Sequence, residues 1–331
     1  MAETQERGLS IVFMGTPEFA ATILRHVAAW PGGHVSAVYT QPDRPAGRGH
    51  RLMPPPVKVA AQELGLPVFQ PRNFREAEDR ERLAALKPDI LAVAAYGLIL
   101  PQAVLDCARL APLNVHGSLL PKYRGAAPIQ RAIMDGEAET GVCIMHMQAA
   151  LDAGPVYSRR AIPTAGHTAG SLHDALAELG GDMLVEVLEQ FRTGTAACVE
   201  QDHSLATYAA KISKADGWID WNRPCAAVDA QVRGVTPWPA AQTICALEGR
   251  DAFPLNIGAG HVGGPAPAGA EPGELWVCAG GLGVATRDRL YMLDIVRPAG
   301  RKPVDARAFL NGHVQGVRAG RCGKLHMPEQ E

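Results

Sequence analysis

The chain has 331 residues, 32 basic against 34 acidic side chains and a formal net charge of −2, with 47% hydrophobic and 20% charged residues. This is ordinary globular composition at a length that suits two domains, and it excludes nucleic-acid binding driven by global charge. Seven cysteines, an odd number without a Cys-x-x-Cys pair, exclude a disulfide framework and a structural zinc site.

The eleven histidines do not pair at zinc-motif spacings, so no metal is expected. No apolar run reaches the length of a membrane span. The start, MAETQERGLS, is polar and carries acids. It lacks the basic-then-apolar layout of a secretory leader, and the scattered, odd-numbered cysteines fit a reducing cytoplasm.

Leu9 to Met14 is an apolar run ending at Gly15, with Thr16 and Pro17 suited to starting a helix. Phe19, Ile23, Leu24 and Val27 follow at helical spacing. Val35 to Tyr39 reads as a strand, and Val57 to Leu64 and Phe74 to Leu86 read as helices. Ile90 to Ala95 is a continuous apolar run of the kind buried in parallel sheets, and Leu113 to Val115 is the next strand. This alternation predicts an α/β domain with an open, doubly wound, mostly parallel sheet, whose ligands bind beyond the carboxyl ends of the strands. Gly15-Thr16, Tyr96-Gly97 and Asn114 to Arg124 lie at such ends. Neither G-x-G-x-x-G nor G-x-x-x-x-G-K-[ST] is present, which excludes a dinucleotide site and a triphosphate loop.

Asn114 and His116 sit two apart at a strand end, so their side chains point the same way. Asp152 follows between two expected strands, Thr140 to Met147 and Gly154 to Ile162. An amide donor, an imidazole and a carboxylate to orient or charge it suggest carbonyl chemistry. Taken singly, each is a common structural residue: a turn former, a hydrogen-bonded strand histidine, an acid in a turn.

Ser171 to Phe191 is a strong amphipathic helix, after which the helical pattern stops. The expected division is a domain over 1–195, a linker over 196–206 and a second domain over 207–331. The second reads as β-rich, with one helix near Cys225 to Arg233 and short strands at Leu275 to Cys278, Gly283 to Thr286 and Leu290 to Val296. Gly258 to Gly273, rich in Gly, Pro and Ala, reads as a long exposed loop. Two basic clusters stand out: Arg44, Arg48, Arg51 and Lys58 beside Asp43, and Arg297, Arg301, Lys302 and Arg307 beside Asp305.

The string Asn114 to Gly125, NVHGSLLPKYRG, with Leu151-Asp152-Ala153-Gly154 downstream, resembles the signature of the formyltetrahydrofolate-dependent formyltransferases. IVFMGTPEF from Ile11, TQPDRPAGRGHRLMPPPVK from Thr40, YAAKISKADGWIDW from Tyr208 and RGVTPWP from Arg233 extend the resemblance over nearly the full length. It implies a Rossmann-like catalytic domain followed by a small β-barrel of oligonucleotide-binding (OB) type. It also implies transfer of a formyl group from 10-formyltetrahydrofolate to the amino group of methionine esterified to initiator tRNA. A monomer that needs no metal is expected.

Within this resemblance, Asn114 and His116, the latter as imidazolium, are donors to the oxyanion, and Asp152 holds the ring charged. Ser118, Leu119, Leu120 and Pro121 match the folate-contacting loop, joined by backbone groups of Tyr96, Gly97 and Leu98. Arg44, Arg48 and Arg51 belong to the loop that wraps the tRNA acceptor end, with Arg48 the main contact. The family usually reads Met-Asp-x-Gly-Leu-Asp where this chain has Met147-Gln148-Ala149-Ala150-Leu151-Asp152, a change that bears on folate affinity. The basic insert at 41–56 and the second domain argue against two rivals, the purine-synthesis glycinamide ribonucleotide enzyme and a formyltetrahydrofolate hydrolase. Intact Asn114, His116 and Asp152 argue against a decayed, non-catalytic binding protein.

Overall fold

The computed structural model describes residues 8–46, 51–314 and 319–328. The Gly47-Arg48-Gly49 segment, and with it Arg48, lies outside the described residues. Two compact units form. One comprises Met1–Pro128, Thr140–Pro163 and His173–Ala209, and the other Ile129–Glu139, Thr164–Leu172 and Ala210–Glu331.

The first unit opens with β1 (Leu9–Gly15), α1 (Glu18–Ala29), β2 (Gly33–Tyr39), the short pair β3 (Arg44–Ala46) and β4 (Arg51–Met53), α2 (Pro56–Glu63) and β5 (Val68–Phe69). It continues through α3 (Ala77–Ala85), β6 (Ile90–Ala94), α4 (Gln102–Leu105), β7 (Ala111–His116) and β8 (Arg124–Gly125). Then come α5 (Pro128–Met134), β9 (Glu139–His146), β10 (Val156–Pro163), α6 (Ala169–Thr193) and β11 (Tyr208–Ala209). Segments of α5, β9 and α6 are shared between the units.

Seven strands make one sheet in the order β10-β9-β7-β6-β1-β2-β5. β7, β6, β1, β2 and β5 pair in parallel and β9 joins β7 antiparallel. Every residue of β6 is buried, as a strand covered on both faces requires. The chain leaves β1 toward β2 and later returns to its other side at β6. This reversal opens a crevice beyond the carboxyl ends of β1 and β6. Asn114 pairs with Val93 near that end, beside Ala94 opposite Gly15.

β7 is longer than the three residues expected, with Asn114 inside it and His116 as its last residue. The 196–206 stretch, read from composition as a linker, groups with the first unit. Val199 bridges Val156, and Gln201 is buried.

The second unit contains α7 (Cys225–Gly234), β12 (Ala241–Leu247), β13 (Phe253–Pro265), β14 (Glu274–Cys278), β15 (Gly281–Ala285), β16 (Arg289–Pro298), β17 (Val304–Asp305), α8 (Ala306–His313) and β18 (Gly320–His326). The antiparallel order is β13-β12-β18-β14-β15-β16-β17, and β13 also pairs with β16. That extra pairing closes the sheet into a barrel, the architecture expected for this half. Its core gathers Trp221, Val232, Leu255, Leu275, Tyr291 and Phe309, among others.

The expected loop from Gly258 is corrected: residues to Pro265 continue β13. Glycine is present there because β13 lies close on β16. A Cβ at Gly260 would come within 2.4 Å of Met292 O and 2.6 Å of the Tyr291 ring. The register shifts three times along this pair, so no clean alternation marks the strand in the sequence.

Candidate active site

β7 carries Asn114 and His116 on one side of the sheet. Asn114 is half-buried, and among the described residues no hydrogen bond engages its carboxamide. His116 is 6% exposed. Its Nε2–H donates to the Tyr123 carbonyl at 3.0 Å. A carbonyl only accepts, so Nε2 carries a proton there, and Nδ1 is the nitrogen left facing the site. Nδ1 lies 3.8 Å from Asp152 Oδ2. This is too long for a direct hydrogen bond and short enough for one reacting atom or water to bridge.

Asp152 sits in the turn between β9 and β10 with φ +47°, a left-handed conformation that Asp tolerates better than most residues. Its Oδ2 accepts from the Gly125 amide at 2.8 Å. Composition gave no signal for the group behind the turn, Gln201. Its carboxamide donates to the carbonyls of Asp152 at 2.9 Å and Gly154 at 2.7 Å. Its Oε1 accepts from Arg124 Nη2 at 2.7 Å. Gly125 was legible in the motif; Gln201 lies 49 positions from Asp152 and stands alone in its stretch.

The expected folate residues divide by environment. Ser118 is buried and its hydroxyl donates to the Lys122 carbonyl at 2.7 Å, closing the loop on itself. Leu120 is fully buried against Cys143, Met145 and Val156, so its side chain is core. Leu119 and Pro121 are half-buried and stand at the surface of that loop. The Tyr96 side chain is buried among Tyr39, Phe74 and Val93. Its carbonyl accepts from Thr16 Oγ1 at 2.8 Å and Gln41 Nε2 at 2.9 Å, which occupies both lone pairs. Exposed Gly97 and half-buried Leu98 remain as backbone able to meet a ligand.

Arg44 and Arg51 flank the undescribed tip of a short hairpin, where Arg44 pairs with Met53 and Ala46 with Arg51. The Arg44 guanidinium donates to Gln41 Oε1. At the hairpin's root Lys58 Nζ contacts both Asp43 carboxylate oxygens at 2.8 Å, and Gln70 donates to one of them. The bond from Lys58, then that from Gln70, holds the Asp43 carboxyl below the usual carboxylate range. Leu52 and Met53 are 68% and 54% exposed. Arg297, Arg301, Lys302 and Arg307 are exposed on the barrel.

A surface cleft of about 410 Å³ elsewhere on the first unit includes Glu18, Asp174 and Glu178 and none of the three site residues. Its carboxylates suit neither a polyanionic nucleic acid nor an acidic folate tail. Among the described residues no group of three His, Cys, Asp or Glu side chains could hold a metal ion, and no helix is long and apolar enough to cross a membrane.

The Formyl transferase family matches residues 9–188, and Formyl transferase, C-terminal domain, matches residues 211–314. The chain is 52% identical to the methionyl-tRNA formyltransferase of Desulfovibrio desulfuricans, over 98% of this chain and 99% of the relative. It is 47% identical to that of Methylococcus capsulatus, over 94% and 100%. Among solved structures, the N-formyltransferase from Helicobacter canadensis in complex with folinic acid and dTDP-3-aminofucose aligns with a TM-score of 0.62 at 14% identity, over 86% of this chain and 98% of that one. HypX from Aquifex aeolicus in complex with tetrahydrofolic acid aligns at 0.60 and 17% identity, covering 98% of this chain and 52% of that one. The chain thus spans about half the length of HypX. At these identities the structural likeness bears on the fold.

Proposed function

The chain belongs to the formyl transferase family, and on that premise we propose how its residues divide the work of formylating the methionyl amino group of initiator tRNA. The donor is 10-formyltetrahydrofolate, and the reaction is attack of a neutral amine on the formyl carbon. It needs a donor for the developing oxyanion, removal of a proton from the amine, and a proton for the leaving folate nitrogen.

The observation that carries the reading is the approach of His116 Nδ1 to Asp152 Oδ2 at 3.8 Å, two residues from the unengaged Asn114 amide. Asn114 donates to the oxyanion. His116 works through Nδ1, because Nε2 is held by the Tyr123 carbonyl. Asp152 orients that edge of the ring and receives the proton from the attacking amine, directly or through one water. Protonated there, it can return the proton to the leaving nitrogen. No covalent enzyme intermediate is needed.

Leu119, Pro121 and the backbone at Gly97 and Leu98 line the folate side of the crevice. The basic segment of Arg44, Arg48 and Arg51 takes the tRNA acceptor end. A planar guanidinium binds a phosphate bidentately or stacks on a base, so arginine suits that role better than lysine. The enzyme acts in the cytoplasm as a monomer. The test is formyl transfer from the folate donor to methionyl initiator tRNA, beside free methionine and glycinamide ribonucleotide. Transfer to the charged tRNA alone is expected; equal use of either small amine would overturn the assignment.

A further inference from the structure

We propose that Gln201 is a positioning residue for Asp152, holding the backbone of its turn in the conformation that aims the carboxylate at His116. This rests on the reading of Asp152 as part of the reacting group.

Gln201 is 5% exposed and uses its whole polar capacity on two segments of the site. Both Nε2 hydrogens go to carbonyls of the turn, that of Asp152 itself at 2.9 Å and that of Gly154 at 2.7 Å. Its Oε1 takes Arg124 Nη2 at 2.7 Å and Nε at 3.3 Å. The amide cannot turn over, because that would set its oxygen against two carbonyls and its NH₂ against a guanidinium. Arg124, itself 4% exposed, also meets His203 Nδ1 at 2.9 Å.

The arrangement is a closed ring. Arg124 precedes Gly125, whose amide holds the Asp152 carboxylate, and it also fixes the side chain that holds the Asp152 backbone. Tyr208–Ala209 then pairs with Arg124–Gly125, so a single stretch, 201–209, supplies the clamp and braces the strand behind it. Asp152 occupies a left-handed backbone conformation, which persists only where the surroundings over-determine it. With the 3.8 Å gap to His116 set by this turn, release of the carbonyls moves the carboxylate off its line.

The test uses the full chain with Gln201→Leu and Gln201→Glu, and Asp152→Asn as reference. Single-turnover transfer to methionyl initiator tRNA is followed across pH, with KM for both substrates, melting temperature and the imidazole nitrogen signals of His116. Gln201→Glu keeps a partner for Arg124 and replaces the two donors to the turn with an oxygen that faces both carbonyls. Both Gln201 variants are expected to lose on the order of 100-fold in transfer rate, as a misplacement of about 1 Å can cause. KM should stay nearly constant, and the pH profile and His116 signals should move toward those of Asp152→Asn. Should Gln201→Leu fail to fold, Gln201→Glu decides alone. Near-normal transfer in Gln201→Glu beside an impaired Asp152→Asn overturns this proposal, as does a loss confined to KM with an unchanged pH profile. Near-normal transfer in Asp152→Asn overturns the catalytic reading beneath it.

Discussion

The Gly125 amide donates to Asp152 Oδ2 at 2.8 Å, and the same oxygen lies 3.8 Å from His116 Nδ1. One main-chain hydrogen bond thus fixes the carboxylate that faces the imidazole, from a segment 27 positions away. Gly125 has φ +114°, and a Cβ there would stand 2.9 Å from the Ala209 carbonyl. Gly125→Ala is therefore expected to push β8 from β11 and carry the carboxylate with it. Turnover should fall by about 30- to 100-fold, the scale of a sub-ångström to 1 Å misplacement. Folate affinity should hold, and titration beside steady-state kinetics checks both.

On the proposed mechanism Asn114→Ala removes one oxyanion donor, worth about 3 kcal/mol, so kcat should drop by about 100-fold with the fold intact. His116→Ala and Asp152→Ala should be as severe or worse. The double and triple variants should lose little more than the worst single one, because the three act as a unit. Single-turnover assays on all combinations read this. Losses that multiply would show three independent contributions.

Leu120 and Leu119 are neighbours with different surroundings. Leu120 is fully buried with Cys143, Met145 and Val156. Leu120→Ala should cost about 2–5 kcal/mol of stability. Leu119, half-buried at the loop surface, should leave stability nearly unchanged when cut to Ala and weaken folate binding. Denaturant melts and folate titration of the two variants separate the roles. The reverse pattern would move the pterin pocket to the other side of the loop.

Arg48→Ala should weaken use of charged tRNA strongly and spare folate binding, and it should lower the salt dependence of tRNA binding if the contact is to phosphate. Arg44→Ala should do so more mildly, since part of that guanidinium's work is the bond to Gln41. tRNA kinetics at two salt concentrations, beside folate titration, check this. Impaired folate binding with unchanged tRNA kinetics would set the hairpin over the folate donor instead.

The Asp43 carboxyl is held below its ordinary value by Lys58 and Gln70. A group depressed on folding adds stability that is complete above its unfolded pKa and is lost as pH falls through the lower, folded value. The contribution should therefore fade below the usual carboxylate range, about pH 4. Asp43→Asn should flatten that part of the acid-side stability profile and loosen the hairpin root, lowering tRNA use near neutral pH. Melting temperature across pH 3–7 and tRNA kinetics measure the two effects.

The amino-acid sequence by itself determined the parallel sheet, because β1 and β6 are continuous apolar runs that only a doubly covered strand can bury. It also determined the pair Asn114 and His116, since a strand's period of two puts them on one side. The basic loop was visible as charge among prolines and glycines, and its paired strands Arg44–Ala46 and Arg51–Met53 were not. The tertiary structure alone decided which nitrogen of His116 is left facing Asp152, because that depends on a carbonyl at Tyr123 reaching Nε2. It placed Glu18, Asp174 and Glu178 together around a surface cleft apart from Asn114, His116 and Asp152. It also decided that Gln201 holds the turn of Asp152, through contacts 47 and 49 positions away that no local period encodes. The glycine-rich half of β13 was illegible for the same reason. Its residues answer to Tyr291 and Met292 across the barrel, and only folding brings those side chains within reach.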